Sequence, residues 1–134
     1  MNIKRFFLAV LVFFIAFQAI DYVIHSIILI DTYESLEHLW RTDMSNYMWV
    51  YYVSSVLLAF LFVYIFTRGY QGRGWMEGLR YGILVGLLMQ GVGMLNQFFV
   101  YPIPGGLLVQ WIIYGLVNYI ICGILVALIY KPKD

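Results

Sequence analysis

The chain has 134 residues, a net charge of +1, 11% charged residues and 63% hydrophobic residues. With a mean hydropathy of +0.85, it lies far outside the composition of soluble globular domains. No basic stripe accompanies the small net charge, which gives no reason to propose nucleic acid as a partner.

Four apolar runs fill almost everything: Phe6 to Ile30, Tyr47 to Thr67, about Tyr81 to Val100, and about Leu107 to Tyr130. Each reaches or exceeds the roughly 20 residues that cross about 30 Å of hydrocarbon at 1.5 Å per residue. The expectation is an all-α membrane protein, one domain over 1–134, folded as an antiparallel, left-handed bundle of four transmembrane helices.

The first run follows Lys4 and Arg5, as the apolar core of a secretory signal does. It continues to Ile30, and a cut after Ala19 would put bulky Phe17 where a small residue is wanted, so a retained span is expected. This run carries Asp21 and His25, the ionisable pair of the membrane interior. A charged group there costs about 2.5–3.5 kcal/mol on insertion scales and needs a partner or water. They are four apart, and Gln18 precedes Asp21 by three, so the three side chains share one helical face. Counted back from Ile30, Asp21 lies roughly 13 Å below the end of the span.

Three roles compete for the pair. A mutual hydrogen bond or ion pair would fix the packing of the span. A carboxylate and an imidazole facing a cavity can exchange a proton near neutral pH, giving a proton or ion site of Asp21, His25 and Gln18. Glu34 and His38 repeat the acid-x-x-x-His spacing, so Asp21, His25, Glu34 and His38 could form a nitrogen and oxygen ligand set for zinc, manganese or iron.

The segment 31–46 reads as a short helix lying in the outer interface. Asp31 or Thr32 would cap it, and Tyr33, Leu36 and Trp40 recur at helical spacing as the apolar face. Glu34, Glu37 and His38 would face water, and Trp40, Tyr47, Trp49, Tyr51 and Tyr52 would form an aromatic belt.

After the second run comes a glycine-rich stretch from Arg68 to Arg80. Glycines with arginines can cradle an anion, but the Walker spacing is missing. A flexible connector is expected, with Arg68, Arg73, Trp75 and Arg80 meeting lipid headgroups. The third run holds Gly82, Gly86 and Gly93, and the fourth holds Gly115 and Gly123. Such residues let helix backbones approach closely, either within one protomer or against another subunit. Gln90 and Asn118 lie deep enough to face the same cavity as Asp21. The link Tyr101-Pro-Ile-Pro-Gly-Gly106 makes a tight turn between neighbouring spans.

Lys4, Arg5, Arg68, Arg73, Arg80, Lys131 and Lys133 fall on one side, and Arg41 alone on the other with Asp31, Glu34, Glu37 and Asp43. The positive-inside rule then puts both termini in the cytoplasm. This bias of seven to one separates the chain from small multidrug transporters, which share four short helices and one acidic residue in the first. A single cysteine, Cys122, excludes disulfide exchange, and two histidines cannot supply a bis-histidine di-haem site.

Asp21-Tyr-Val-Ile-His25, Leu39-Trp-Arg41, Glu77-Gly-Leu-Arg-Tyr-Gly82 and Tyr101-Pro-Ile-Pro104 together resemble a loose set of small prokaryotic four-span membrane proteins without an established activity. The resemblance covers most of the chain and implies the cytoplasmic membrane of a prokaryote and a compact bundle. With little interior in four helices and glycine-faced spans, the expected role is a non-catalytic accessory or assembly subunit. Its partners would be membrane lipids and other membrane subunits or copies of itself. A proton- or ion-coupled transporter or channel using Asp21 and His25 is the alternative, and a membrane enzyme with an outer-face metal the third.

Overall fold

The computed structural model describes residues 1–133. It is all-helical, with no strand among the described residues. Among the described residues, four helices are long and apolar enough to cross a membrane: Ile3–Ile28, Met44–Arg68, Trp75–Val100 and Gly105–Ile129. The chain is therefore a multi-pass membrane protein built as a helix bundle.

The first span consists of α1 (Ile3–Val23) and a π-helical turn, Ile24–Ile28. Asn2 caps it, its side-chain oxygen accepting from the Arg5 amide at 3.2 Å. At Leu29 the amide reaches back to the Ile24 carbonyl at 2.9 Å, and the chain continues into α2 (Ile30–Ser35), a six-residue helix. The cap expected from Asp31 or Thr32 is absent, because α2 leaves the π turn without an intervening loop; Leu29 occupies the cap position and no side chain bonds there.

The expected single helix over 31–46 is broken. Beyond α2 lie two short 3₁₀ turns, Glu37–Leu39 and Met44–Tyr47. Tyr33, Leu36 and Trp40 pack on a cluster of Ile24, Leu29, Ile103 and Leu107, so their apolar face covers protein.

The second span ends with α3 (Met48–Arg68). The third begins at Trp75, earlier than the apolar run, because Gly74 takes a φ of 68° and releases the chain directly into α4 (Trp75–Gly86). Glu77 sits in the first turn of α4, where a carboxylate suits the helix dipole. A second π turn, Leu87–Val92, joins α4 to α5 (Gly93–Val100), and α6 (Gly105–Ile129) forms the fourth span.

The most intimate pairing is α4 with α6. A Cβ at Gly78 would meet the Gly123 backbone, one at Gly82 would come within 2.5 Å of the Tyr119 carbonyl oxygen, and one at Gly86 would come within 2.6 Å of Leu116. At Gly78 and Gly82 the nearest obstacles are main chain, so only hydrogen fits, while at Gly86 the Leu116 side chain would have to give way. Gly123 in turn faces the Gly78 carbonyl, and Gly115 makes room for the Gln90 side chain. A Cβ at Gly93 would meet no other part of the described chain within 4 Å, so Gly93 takes no part in this packing, whereas Gly78, which the sequence places in the connector, does.

Phe13, Phe17, Phe62, Phe66 and Tyr119 form the centre of the main core, with the Phe13 and Phe62 rings 4.5 Å apart. Arg5 donates to the Ile129 carbonyl at 3.4 Å, which joins the start of α1 to the end of α6.

Candidate functional site

At the opposite end of α1, the helical spacing of Gln18, Asp21 and His25 turns them toward one groove of about 960 Å³. Asp21 is 17% exposed and His25 is 44% exposed. The His25 Nε2 atom lies 3.9 Å from Asp21 Oδ1. That separation suits an ion pair but exceeds a hydrogen bond.

Donors face both carboxylate oxygens. Asn118, wholly buried on α6, donates from Nδ2 to Asp21 Oδ1 at 3.1 Å and to the Phe17 carbonyl at 3.4 Å. The Cys122 thiol, one turn further along α6, donates to Asn118 Oδ1 at 3.4 Å. From α3, Tyr51 Oη lies 3.1 Å from Asp21 Oδ2 and 2.9 Å from Gln18 Oε1. A phenol has one proton, so it cannot serve both acceptors fully. Gln18 Nε2 is buried without a partner. Turning that amide through 180° would let it donate to Tyr51 Oη and leave the phenolic proton for Asp21.

His25 is oriented from its other nitrogen. Nδ1 is 2.5 Å from Tyr33 Oη, and Trp111 Nε1 donates to the same oxygen at 2.7 Å. An indole can only donate, so Tyr33 accepts from Trp111 and gives its own proton to Nδ1. The neutral imidazole then carries its proton on Nε2, facing Asp21. Protonation of Nδ1 reverses the bond to Tyr33, and the phenolic proton must turn elsewhere. Trp40 fixes this arrangement by donating from Nε1 to the Tyr33 carbonyl at 3.0 Å. Tyr33 lies outside the spans, and its phenol is raised above its ordinary value. Burial is the main cause, Trp111's hydrogen bond opposes it and the nearby Asp21 charge adds to it.

The ligand set of Asp21, His25, Glu34 and His38 is not assembled. No group of three or more His, Cys, Asp or Glu suited to a metal occurs among the described residues. His38 belongs to a 3₁₀ turn and is exposed, as is Glu34, and the Nδ1 of His25 is held by Tyr33. Of the two deep amides, Asn118 reaches Asp21, while Gln90 lies over Gly115.

In the connector, the Gln71 and Arg73 amides donate to the two oxygens of Glu77 at 2.5 and 2.9 Å. The anion cradle of the glycine-rich stretch is thus filled by the chain's own carboxylate.

Tyr33, Tyr51 and Trp111 were not singled out for this site from sequence. The sequence places Tyr51 in an aromatic belt and Tyr33 on an apolar helix face. The one available signal was their polar atoms, since a partly buried Tyr or Trp finds a hydrogen-bond partner. No protein-family model, curated protein or solved structure matches the chain.

Proposed function

We propose that the protein is a small proton-conducting transporter or channel of a prokaryotic cytoplasmic membrane, passing protons by way of Asp21 and His25, with a groove that admits a ligand from the outer side. The observation that carries this reading is the pair itself: two ionisable side chains 3.9 Å apart, on a groove large enough for a small molecule. The proposed frame is an antiparallel bundle with both termini cytoplasmic. It is supported by the Arg5 bond to Ile129 at one end, the Tyr33 bond to Trp111 at the other, and the basic residues of the loops.

The expectation of an accessory subunit rests on glycine faces and on the small interior of four helices. Gly78, Gly82, Gly86, Gly115 and Gly123 are occupied by contacts within the protomer, which takes away the first support.

The test is proton flux into sealed vesicles holding a trapped pH dye, driven by a potassium diffusion potential. Vesicles with the native protein should acidify faster than empty vesicles and vesicles with D21N/H25Q. Equal rates in all three, with the variant still folded by its elution and Cys122 protection, would overturn the reading.

A further inference from the structure

Resting on that proposed reading, we infer that the groove takes a lipophilic monovalent organic cation of the ammonium class, which competes with the second proton of His25 for the charge of Asp21. Among the described residues, Asp21 is the sole acid lining the groove, and neither lysine nor arginine lines it. When His25 is neutral, the lining carries one uncompensated negative charge inside a membrane span. Such a charge is costly without a counter-ion.

The rest of the lining selects the kind of counter-ion. Tyr22, Tyr33, Trp40, Tyr52 and Trp111 line the same groove as the carboxylate. Ring faces attract a cation whose charge is spread over carbon substituents, while the apolar walls accept those substituents. A small hydrated metal ion would leave most of this surface unused, and an anion would face Asp21 directly. The groove rim already shows the preference: the Arg41 guanidinium lies 4.3 Å from the centre of the Tyr47 ring, with Asp43 3.8 Å from its Nε.

The exchange balances. Below the histidine range and with no ligand, His25 takes a second proton at Nδ1 and its imidazolium neutralises Asp21. When the organic cation settles beside Asp21, the Nδ1 proton leaves to the aqueous side, the Nε2 proton stays, and the Tyr33 hydroxyl turns to donate to Nδ1. One charge enters as one leaves. The other titratable groups facing the pair are Tyr51 from α3, Tyr33 from α2, and Tyr119 with Cys122 from α6. Tyr22, Tyr47 and Tyr52 complete the groove. All are neutral near pH 7 in their ordinary forms, so none can replace Asp21 as the anion.

The experiment is calorimetric titration of the full chain with tetraphenylphosphonium, and with tetraphenylborate as the anion of nearly the same shape. Buffers of two ionisation enthalpies report proton release. The expected result is binding of the phosphonium with release of about one proton below the histidine range. Binding should weaken about tenfold or more in D21N. Y52L, which keeps the charge and loses one ring, should weaken it about two- to fivefold with unchanged proton release. Tighter binding of the borate, or phosphonium binding indifferent to D21N in a folded variant, would overturn the inference. The vesicle flux uses no organic cation, so retained flux with either adverse result strikes the ligand class alone, while lost flux strikes the parent reading.

Discussion

Gly82 and Tyr119 meet backbone to backbone, with room at position 82 for hydrogen and nothing larger: a Cβ there would stand 2.5 Å from the Tyr119 carbonyl oxygen and 2.7 Å from the Ile120 Cα. Both obstacles are main chain, so neither can swing aside. Gly82→Ala should force α4 off α6 and cost about 1–3 kcal/mol, more than the helix propensity it gains. Gly93→Ala has open space and should leave stability unchanged or raise it by up to about 1 kcal/mol. Thermal unfolding of the two purified variants in one detergent decides this, and equal melting temperatures would contradict the packing.

Asn118 ties Asp21 and Phe17 on α1 to Cys122 on its own helix. Asn118→Ala should leave the carboxylate short of a donor and destabilise by about 1–3 kcal/mol. Cys122 is fully buried, so its thiol reports the opening of this core. Maleimide labelling should be negligible in the native protein and several times faster in Asn118→Ala.

The raised phenol of Tyr33 gives a pH dependence with a definite sign. A group that binds its proton more tightly in the folded state contributes fully below its unfolded value, about pH 10 for tyrosine, and loses that contribution as pH rises through the higher folded value. Stability should therefore fall on the alkaline side of pH 10. Tyr33→Phe should be less stable at neutral pH, having stranded Trp111 and His25, yet show a shallower alkaline decline. Melting curves from pH 8 to 11 would expose a parallel decline, the adverse outcome.

The glycine-rich connector depends on Glu77. Glu77→Ala removes the acceptor of two backbone amides, an exposed pair of bonds worth about 1 kcal/mol. Trypsin should then cut at Arg73 faster, while Glu77→Gln, which can still accept, should lie between. Cleavage at the native rate in Glu77→Ala would show that the connector is held in another way.

The spans were legible because long apolar runs have one physical meaning, and Asp21 with His25 stood out because so few charges interrupt those runs. What could not be read follows from the same chemistry. The charges of Glu77 and Arg80 hid the true start of the third span, where Gly74 turns the chain. The π turns contain no proline and leave no compositional mark. Tyr33, Tyr51 and Trp111 have the amphipathic character of lipid-facing residues, and only the folded chain distinguishes a ring that meets headgroups from one that bonds Asp21 or orients His25. Gly93 and Gly78 were exchanged because spacing alone does not say which helix face has a neighbour.

The π turn at Ile24–Ile28 amounts to one amino acid more than a regular helix of that rise requires. Remove one residue from it, and everything that follows is turned by about 100° about the axis. Tyr33 would then swing away from His25, and Trp40 and Trp111 would lose the oxygens they bond. The hydrogen-bonded junction of imidazole, phenol and two indoles is thus keyed to a single surplus residue in the backbone. Chain length at this point should tolerate change far less than side-chain identity at Ile27 or Ile28, both exposed.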